Sequence, residues 1–253
     1  MTNIEFSQEF DTLLHSYNAF NAYGVTIGTS LILNEYEKSV YLTTAQEQLI
    51  KEYYSGNTAT NNSFESVEEV RKYLQALVTD ITLTTQHICT PKYSVNKYSQ
   101  FYKLTTALNK HELWYIIFET AKIGNRTTIV KPTTHDKVYS LLRNPLKTNF
   151  LERTFRLEIS NDTIELINKY PITEYFIRYL KKPRPIILED FENLTINGYS
   201  TETSCELHES LHRPILERAY LLALQTFSRT NSRQENDSAE NRKSSKQEEK
   251  LKK

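Results

Sequence analysis

Several residue types are scarce in this chain, and each scarcity excludes a class of protein. The 2 cysteines, Cys89 and Cys205, are too few for a disulfide framework, so we expect reduced thiols in an intracellular product. The 5 glycines are scattered and form no phosphate-binding loop. No apolar run approaches the roughly 20 residues that span a bilayer, and residues 1–10 lack the apolar core of a signal peptide. The sequence therefore predicts no secretion and no membrane partner.

Net charge is also missing. Lys and Arg number 31, and Asp and Glu number 31 as well, so the chain as a whole has no field that attracts nucleic acid. Tyrosine, in contrast, is abundant at 17 residues. It suits assembly interfaces, which are partly buried and partly wet. It is equally typical of strands in a β domain, and composition leaves both interpretations open.

Helical patterns occupy the two ends of the chain. Apolar residues at helical spacing predict helices over residues 4–23, 43–56, 66–78 and 213–227. Two of these begin with a capping box, in which a Thr or Ser at the helix start is followed three residues later by Gln or Glu. The pairs are Thr43 with Gln46 and Ser66 with Glu69. Gly24 and Gly56 are placed to end the first two helices.

The middle of the chain is rich in β-branched and aromatic residues. Short runs of them predict strands at 81–84, 101–106, 113–120, 127–131, 154–159, 163–167 and 175–180, with one short helix at 136–142. The last helix has an apolar stripe and needs a partner, for which the N-terminal helices are available. We therefore predict the α+β class, with a helical body of N-terminal helices plus a C-terminal amphipathic helix, an inserted antiparallel β domain and a polar C-terminal tail.

The predicted elements divide the chain into four parts. Residues 1–80 form the N-terminal helical part, and residues 81–204 form the β-rich insertion with its short helix. Residues 205–229 form the C-terminal helix that packs on the N-terminal part. Residues 230–253 are polar and charged, with Leu251 as their only bulky apolar residue, so we expect this tail to become ordered only on assembly.

A zinc-protease signature, HExxH, occurs at His208-Glu209-Ser210-Leu211-His212. It binds metal when both histidines lie on one helix face and the glutamate activates a bound water. Pro214 opposes this, because its ring would clash with the carbonyl group of Ser210 in a helix. We expect the helix to begin near His212 and to leave His208 outside. The prediction is no metal and no catalytic residue, with a zinc metallopeptidase using His208, Glu209 and His212 as the alternative.

Cys205 precedes the same helix start, which would lower its pKa slightly and suggests a thiol nucleophile with a histidine base. No orienting third group or oxyanion-hole motif accompanies it.

The strongest basic cluster is Lys181-Lys182-Pro183-Arg184, which suits a solvated turn or a protein interface better than a phosphate contact. With cations of the tail, the predicted interface residues are Lys181, Lys182, Arg184, Arg233, Arg242, Lys243 and Lys246.

Two blocks of sequence are distinctive in their order and spacing. The first is NEYEKSVYLTTAQEQLIKEYYSG at 34–56, followed by SFESVEEVRKYL; the second is YPITEYFIRYLKKPRPIIL, then LTINGYSTETSCEL, then LHRPILERAYLLAL, with NPLKTN at 144–149 between the two blocks. Up to about residue 229, the chain resembles the head-to-tail connector ring proteins of crAss-like bacteriophages. Where that family has Pro after Cys-Glu-Leu, this chain has His208. The HExxH therefore looks incidental.

The resemblance implies a virion structural protein without catalysis or cofactor. It implies a ring of about twelve copies, bound below the portal as an adaptor, that extends the DNA channel for genome retention and ejection. The implied partners are further copies of the chain, the portal protein, neighbouring ring or tail proteins, and packaged DNA in the channel. The implied location is the neck of the virion, after synthesis in the host bacterial cytoplasm. A nucleic-acid-binding virion protein is the remaining alternative.

Overall fold

The computed structural model describes residues 1–23, 32–56, 64, 67–85, 88–89, 99–104, 108, 112–144, 149–160 and 162–228, without the side chains of 17–23. The chain forms two compact units. The first comprises Met1–Ala76 with Pro183–Lys253, and the second comprises Leu77–Lys182. Residues 183–204, which the sequence analysis assigned to the β-rich insertion, belong to the first unit. The four-part division of the chain stays a prediction.

The first unit contains most of the helices. They are α1 (Asn3–Tyr23), α2 (Glu35–Ser55), α3 (Glu68–Leu74) and α5 (212–228). The 3-10 turn Gln75–Leu77 follows α3, and the 3-10 turn Glu209–Leu211 precedes α5. Gly24 and Ser66 lie outside the described residues, and α3 has Val67 at its N-cap without a side-chain hydrogen bond.

Helix α2 begins eight residues earlier than the sequence predicted, since it starts at Glu35 and not at Thr43. Asn34 caps it: the Asn34 side chain accepts from the Glu37 backbone N–H at 2.8 Å, and the Glu37 carboxylate accepts from the Asn34 backbone N–H at 3.0 Å. The predicted helix start at Thr43 was wrong, because residues 35–42 are also helical and place Thr43 inside α2. The predicted end is confirmed, since Gly56 has φ 76° and donates to the Glu52 carbonyl at 2.9 Å.

The core of the first unit lies between helices and an extended segment. Two buried hydroxyl groups of α2 accept hydrogen bonds from this segment. The Thr43 hydroxyl accepts from the Ile186 backbone N–H at 3.1 Å, and the Ser39 hydroxyl accepts from the Leu188 backbone N–H at 3.1 Å. Arg213 of α5 pairs with α1, and Arg218 of α5 pairs with α2. The fully or nearly fully buried apolar side chains of this unit include Phe6, Phe10, Leu14, Leu42, Ile50, Leu74, Ile186, Ile187, Ile215, Leu216 and Ala219.

The second unit is built on one eight-stranded sheet. Its strands are β1 (Val78–Thr84), β2 (Ile88–Cys89), β3 (Ser99–Lys103), β4 (Leu113–Ile123), β5 (Arg126–Thr133), β6 (Arg153–Ser160), β7 (Thr163–Ile167) and β8 (Glu174–Lys181). They pair in the order β1-β8-β4-β5-β6-β7-β3-β2. The strands predicted at 154–159 and 163–167 form an antiparallel pair, β6 with β7.

The α+β class is confirmed, but the sheet is mixed and not antiparallel throughout. Strands β5 and β6 pair in parallel, and helix α4 (His135–Arg143) connects them. A parallel pair needs such a crossover, because a tight turn reverses the chain and gives antiparallel neighbours. The helix was predicted at 136–142, but the parallel pairing that it makes possible was not.

The two faces of the sheet differ. The inward face holds a core of buried residues from β1, β3, β4, β5, β7 and β8 and the segments beside them, among them Leu83, Tyr102, Ala121, Val130, Ile164, Leu166, Tyr175 and Ile177. On the outward face, Val138 of α4 packs with Phe155 of β6 and Ile167 of β7. Helix α4 thus covers the outward face only over part of the strand order.

Candidate interaction surfaces

The HExxH segment does not form one continuous helix. His208 has extended backbone angles, φ −59° and ψ 143°, and caps the 3-10 turn Glu209–Leu211. Its Nδ1 atom accepts from the Ser210 backbone N–H at 3.3 Å. The α-helix begins only at His212, as Pro214 predicts. The two histidines therefore lack the helical frame that a metalloprotease motif requires.

His212 is engaged in protein contacts at both ring nitrogens. It is 6% exposed, and Nε2 lies 3.1 Å from the Leu207 carbonyl oxygen, to which it donates. The Met1 amino group lies 2.7 Å from Nδ1. Burial lowers the pKa of His212. Within the described ranges, no three His, Cys, Asp or Glu side chains group closely enough for a metal ion. The zinc alternative receives no support from this geometry.

Cys205 is a poor nucleophile in this environment. Burial raises the pKa of its thiol to about 11, so the thiolate is nearly absent at neutral pH. The expectation that the following helix start lowers this pKa was wrong. Desolvation is the larger effect, because it disfavours the charged thiolate more than nearby backbone donors favour it.

The cations of the basic turn have carboxylate neighbours. Lys182 Nζ lies 3.8 Å from a carboxylate oxygen of Glu112, and Arg184 Nε lies 3.4 Å from Glu206 Oε1. Lys181 is partly buried at the end of β8. The turn therefore carries less uncompensated charge than its sequence suggests. The other predicted interface residues, Arg233, Arg242, Lys243 and Lys246, lie outside the described residues.

A buried polar cluster sits inside the sheet. Glu119 Oε2 accepts a hydrogen bond from the Tyr175 hydroxyl at 2.5 Å and lies 3.3 Å from Arg156 Nε. Burial raises the pKa of Glu119, and burial followed by the charge of Glu119 raises that of Tyr175. Each of these side chains is less than a tenth exposed. The cluster is closed to a substrate, and its hydrogen bond and ion pair partly offset the cost of burying charge.

An apolar surface on the outward face of the sheet was not predicted from the sequence. Phe118 of β4 is 48% exposed and Ile129 of β5 is 58% exposed. The Phe118 ring lies beside Phe176 of β8, with a centroid distance of 6.5 Å. A signal was available in the run from Leu113 to Phe118, because consecutive apolar residues in a strand place apolar side chains on both faces.

Among the described residues, no helix combines the length and the apolar character needed to cross a bilayer.

Comparison with known proteins decides the family. A family model described as phage tail ring protein 3/4 matches residues 1–236. The chain belongs to this family. It is similar to Ring protein 3 of Bacteroides phage crAss001, with 41% identity over 235 residues that cover 88% of this chain and 95% of that protein. It is also similar to Ring protein 4/5 of the same phage, with 32% identity over 231 residues, 87% of this chain and 90% of that protein.

Membership of the phage tail ring protein family confirms the resemblance to ring proteins of crAss-like phages. It makes the chain a structural ring protein of a virion. For a ring protein, the informative surfaces are those that meet neighbouring subunits, and neither the HExxH segment nor Cys205 has the geometry of a reaction centre.

Proposed function

We propose that this ring protein is a head-to-tail connector: a homo-oligomeric ring in the neck of the virion, bound below the portal, that extends the channel for DNA. The ring-protein family match along nearly the whole chain carries the proposal. A ring of about twelve copies follows if the symmetry of a portal is kept through the neck. The protein would be made in the host bacterial cytoplasm and incorporated into the virion during assembly.

The charge balance supports a passive role toward DNA. Basic and acidic residues are equal in number, 31 each, so a channel built from this chain has no overall attraction for phosphate groups. DNA held by many Lys and Arg contacts would be released slowly, which opposes ejection. Genome retention would then depend on the shape of the channel and on neighbouring proteins, without catalysis by this chain.

Contacts with the portal or with an adjacent ring are proposed for the basic turn at 181–184 and for the tail from residue 230. Arg184 is 54% exposed at its side chain, and its pairing with Glu206 is weak enough in water to be exchanged for a partner carboxylate. Lys181 and Lys182 are the further candidates at the end of β8. The tail adds a sequence rich in Lys and Arg near its end, including Arg242, Lys243 and Lys246.

Electron microscopy of the purified protein, alone and mixed with its portal protein, tests the proposal. We expect rings of about twelve subunits that are coaxial with the portal. A protein that remains monomeric in both samples contradicts the proposal. Fluorescence anisotropy with duplex DNA tests the alternative of a nucleic-acid-binding virion protein, because tight binding that weakens steeply with salt would favour that alternative.

A further inference from the structure

The outward face of strands β1, β8, β4 and β5 presents a surface that the proposed function leaves unassigned. In the strand register, Phe176 of β8 and Ile129 of β5 flank Thr120 of β4 on opposite sides. Phe118 lies two residues before Thr120, on the same face. The Phe118 and Phe176 rings are therefore neighbours on this outward face, and Ile129 lies on the other side of Thr120 on the same face.

Two ion pairs border this apolar centre. Arg178 of β8 binds Asp80 of β1 through two hydrogen bonds, from Nε at 2.7 Å and from an Nη atom at 3.1 Å. Lys122 of β4 lies 3.1 Å from the carboxylate of Glu174 on β8. Both pairs are on the outward face, since their positions alternate with the inward residues of the same strands. We call Phe118, Ile129 and Phe176 with these two pairs the sheet patch.

The composition of the sheet patch is that of a protein interface. Interfaces combine an aromatic and apolar centre with a polar rim, and they are enriched in Phe and Arg. The Arg178 guanidinium also lies over the Phe176 ring, 5.9 Å from its centroid. Each ion pair is internally neutral. Arg153 of β6 is the register partner of Ile129, and Lys131 lies two residues after Ile129 in β5, so the border of the patch toward β6 is basic.

The sheet patch lies beside a covered part of the same face. On β6 and β7, outward residues such as Phe155 and Ile167 are buried beneath α4. On β4 and β5, the corresponding outward residues Phe118 and Ile129 are about half exposed. The patch is also preformed, because ladder hydrogen bonds hold all of its strands. A preformed surface orders few groups on binding, which favours association.

We propose that the sheet patch is the surface on which a neighbouring copy of this chain packs in the ring. This inference rests on the proposed function. A ring requires a contact that every subunit repeats, and head-to-tail closure joins two different surfaces of the same chain. The chain also presents exposed apolar side chains in its first unit, Ile4 at 69% and Leu221 at 54%, which a second copy can offer to the patch.

The first test is a pair of substitutions at exposed positions. Phe118→Ser with Ile129→Ser should leave the fold intact and raise the concentration at which rings form by about tenfold or more. Tyr139→Ser, on α4 and 59% exposed, is the matched control and should form rings like the wild type. Thermal unfolding followed by circular dichroism checks the fold. Rings at the wild-type concentration, or an equal loss in the control, would overturn the proposal.

If the isolated protein forms no ring, that result counts against the proposed function and leaves the assignment of the sheet patch open to a second measurement. A photo-crosslinking phenylalanine derivative is placed at Phe118 or, as control, at Tyr139, and is activated in assembled phage particles. We expect a covalent dimer of this chain from position 118 and much less from position 139. A crosslink from position 118 to a different protein or to DNA, or no crosslink, would overturn the assignment of the sheet patch to a second copy.

Discussion

Lys38 is the clearest case of a single residue that the fold depends on. It lies in α2 and is 2% exposed, with Nζ 2.8 Å from both Asp11 of α1 and Glu35 and 3.1 Å from the Ser7 hydroxyl oxygen. Burial alone would lower the pKa of Lys38, but hydrogen bonds to Asp11 and Glu35 outweigh burial and raise it. The buried ammonium group thus joins α1 to α2.

Replacing Lys38 by Met should lower the free energy of unfolding by about 1–3 kcal/mol, because Asp11 and Glu35 keep their charges without the cation. Both carboxylates are partly exposed, 44% and 31%, which places the loss below that of a fully buried pair. Urea denaturation measures it. Lys72→Met is the matched control, since Lys72 pairs with Glu68 on the surface, and should cost less than about 0.5 kcal/mol. Equal losses from Lys38→Met and Lys72→Met would contradict a stabilising role of the buried Lys38 ion pairs.

The thiol of Cys205 gives a pH-dependent prediction. Its pKa is about 11 in the folded protein, against a usual value of 9.0. Between these values the unfolded chain releases the proton while the folded chain keeps it, so this group makes stability fall as pH rises through that window. Below pH 9 the contribution is flat.

In a Cys89→Ser variant Cys205 is the only thiol, so the rate of alkylation measures the reactivity of Cys205 alone. We expect very slow labelling at pH 8, where on the order of one thiol in a thousand is ionised, and fast labelling after addition of urea. The Cys205→Ser variant, labelled at Cys89 under the same conditions, provides the comparison. Labelling of native Cys205 at the rate of the unfolded chain would contradict a raised pKa of this thiol in the folded protein.

At the scale of elements, helix α4 combines two roles: it connects β5 to β6 and covers the outward face of β6 and β7. Val138 is 1% exposed and packs with Phe155 and Ile167. The sequence predicted a short helix at 136–142, but a parallel pairing of β5 with β6 depends on where the returning strand lies. That choice is made by contacts between distant residues, which local patterns do not contain.

Val138→Ala should lower the free energy of unfolding of the second unit by about 1–3 kcal/mol, through lost apolar burial and a cavity beneath α4. Tyr139→Ala changes the next residue, which is 59% exposed, and should stay within about 0.5 kcal/mol. Chemical denaturation of both variants measures the difference. If the two substitutions cost the same, α4 does not pack on the sheet through Val138.

Element boundaries show where local signals compete. Two capping boxes were available for α2, one at Asn34 and Glu37 and one at Thr43 and Gln46, and the earlier one begins the helix. Thr43 instead uses its hydroxyl group to bind Ile186, which is 143 residues away in the sequence. Sequence spacing alone gives both boxes equal weight, because the partner that decides the role of Thr43 comes from a distant segment.

At the scale of the whole molecule, the tail is the segment with the clearest expected effect on assembly. Deleting residues 230–253 should weaken attachment to the portal, since the deletion removes a cluster of cations together with the length of chain that reaches a partner. Co-sedimentation of portal with the truncated protein measures attachment. A full-length variant with Arg233, Arg242, Lys243 and Lys246 all changed to Gln separates charge from length. Unchanged attachment by the truncated protein would exclude the tail as a portal contact.

The candidate surfaces were only partly accessible from the sequence. Pro214 alone was enough to predict that His208 lies outside the final helix, because the proline ring excludes one helical geometry locally. The sheet patch was not accessible in this way. Its residues come from β1, β4, β5 and β8, and only the strand order brings Phe118, Ile129 and Phe176 to one face.

By itself the sequence determined the α+β class, the helices and most strands, and the resemblance to phage ring proteins, because periodicity, prolines and long ordered blocks are local or linear properties of the chain. Tertiary structure alone decided the mixed pairing of the sheet, the raised pKa of Cys205 and the exposure of Phe118 and Ile129. Pairing, desolvation and exposure each depend on which distant residues become neighbours, and that is settled only when the chain has folded.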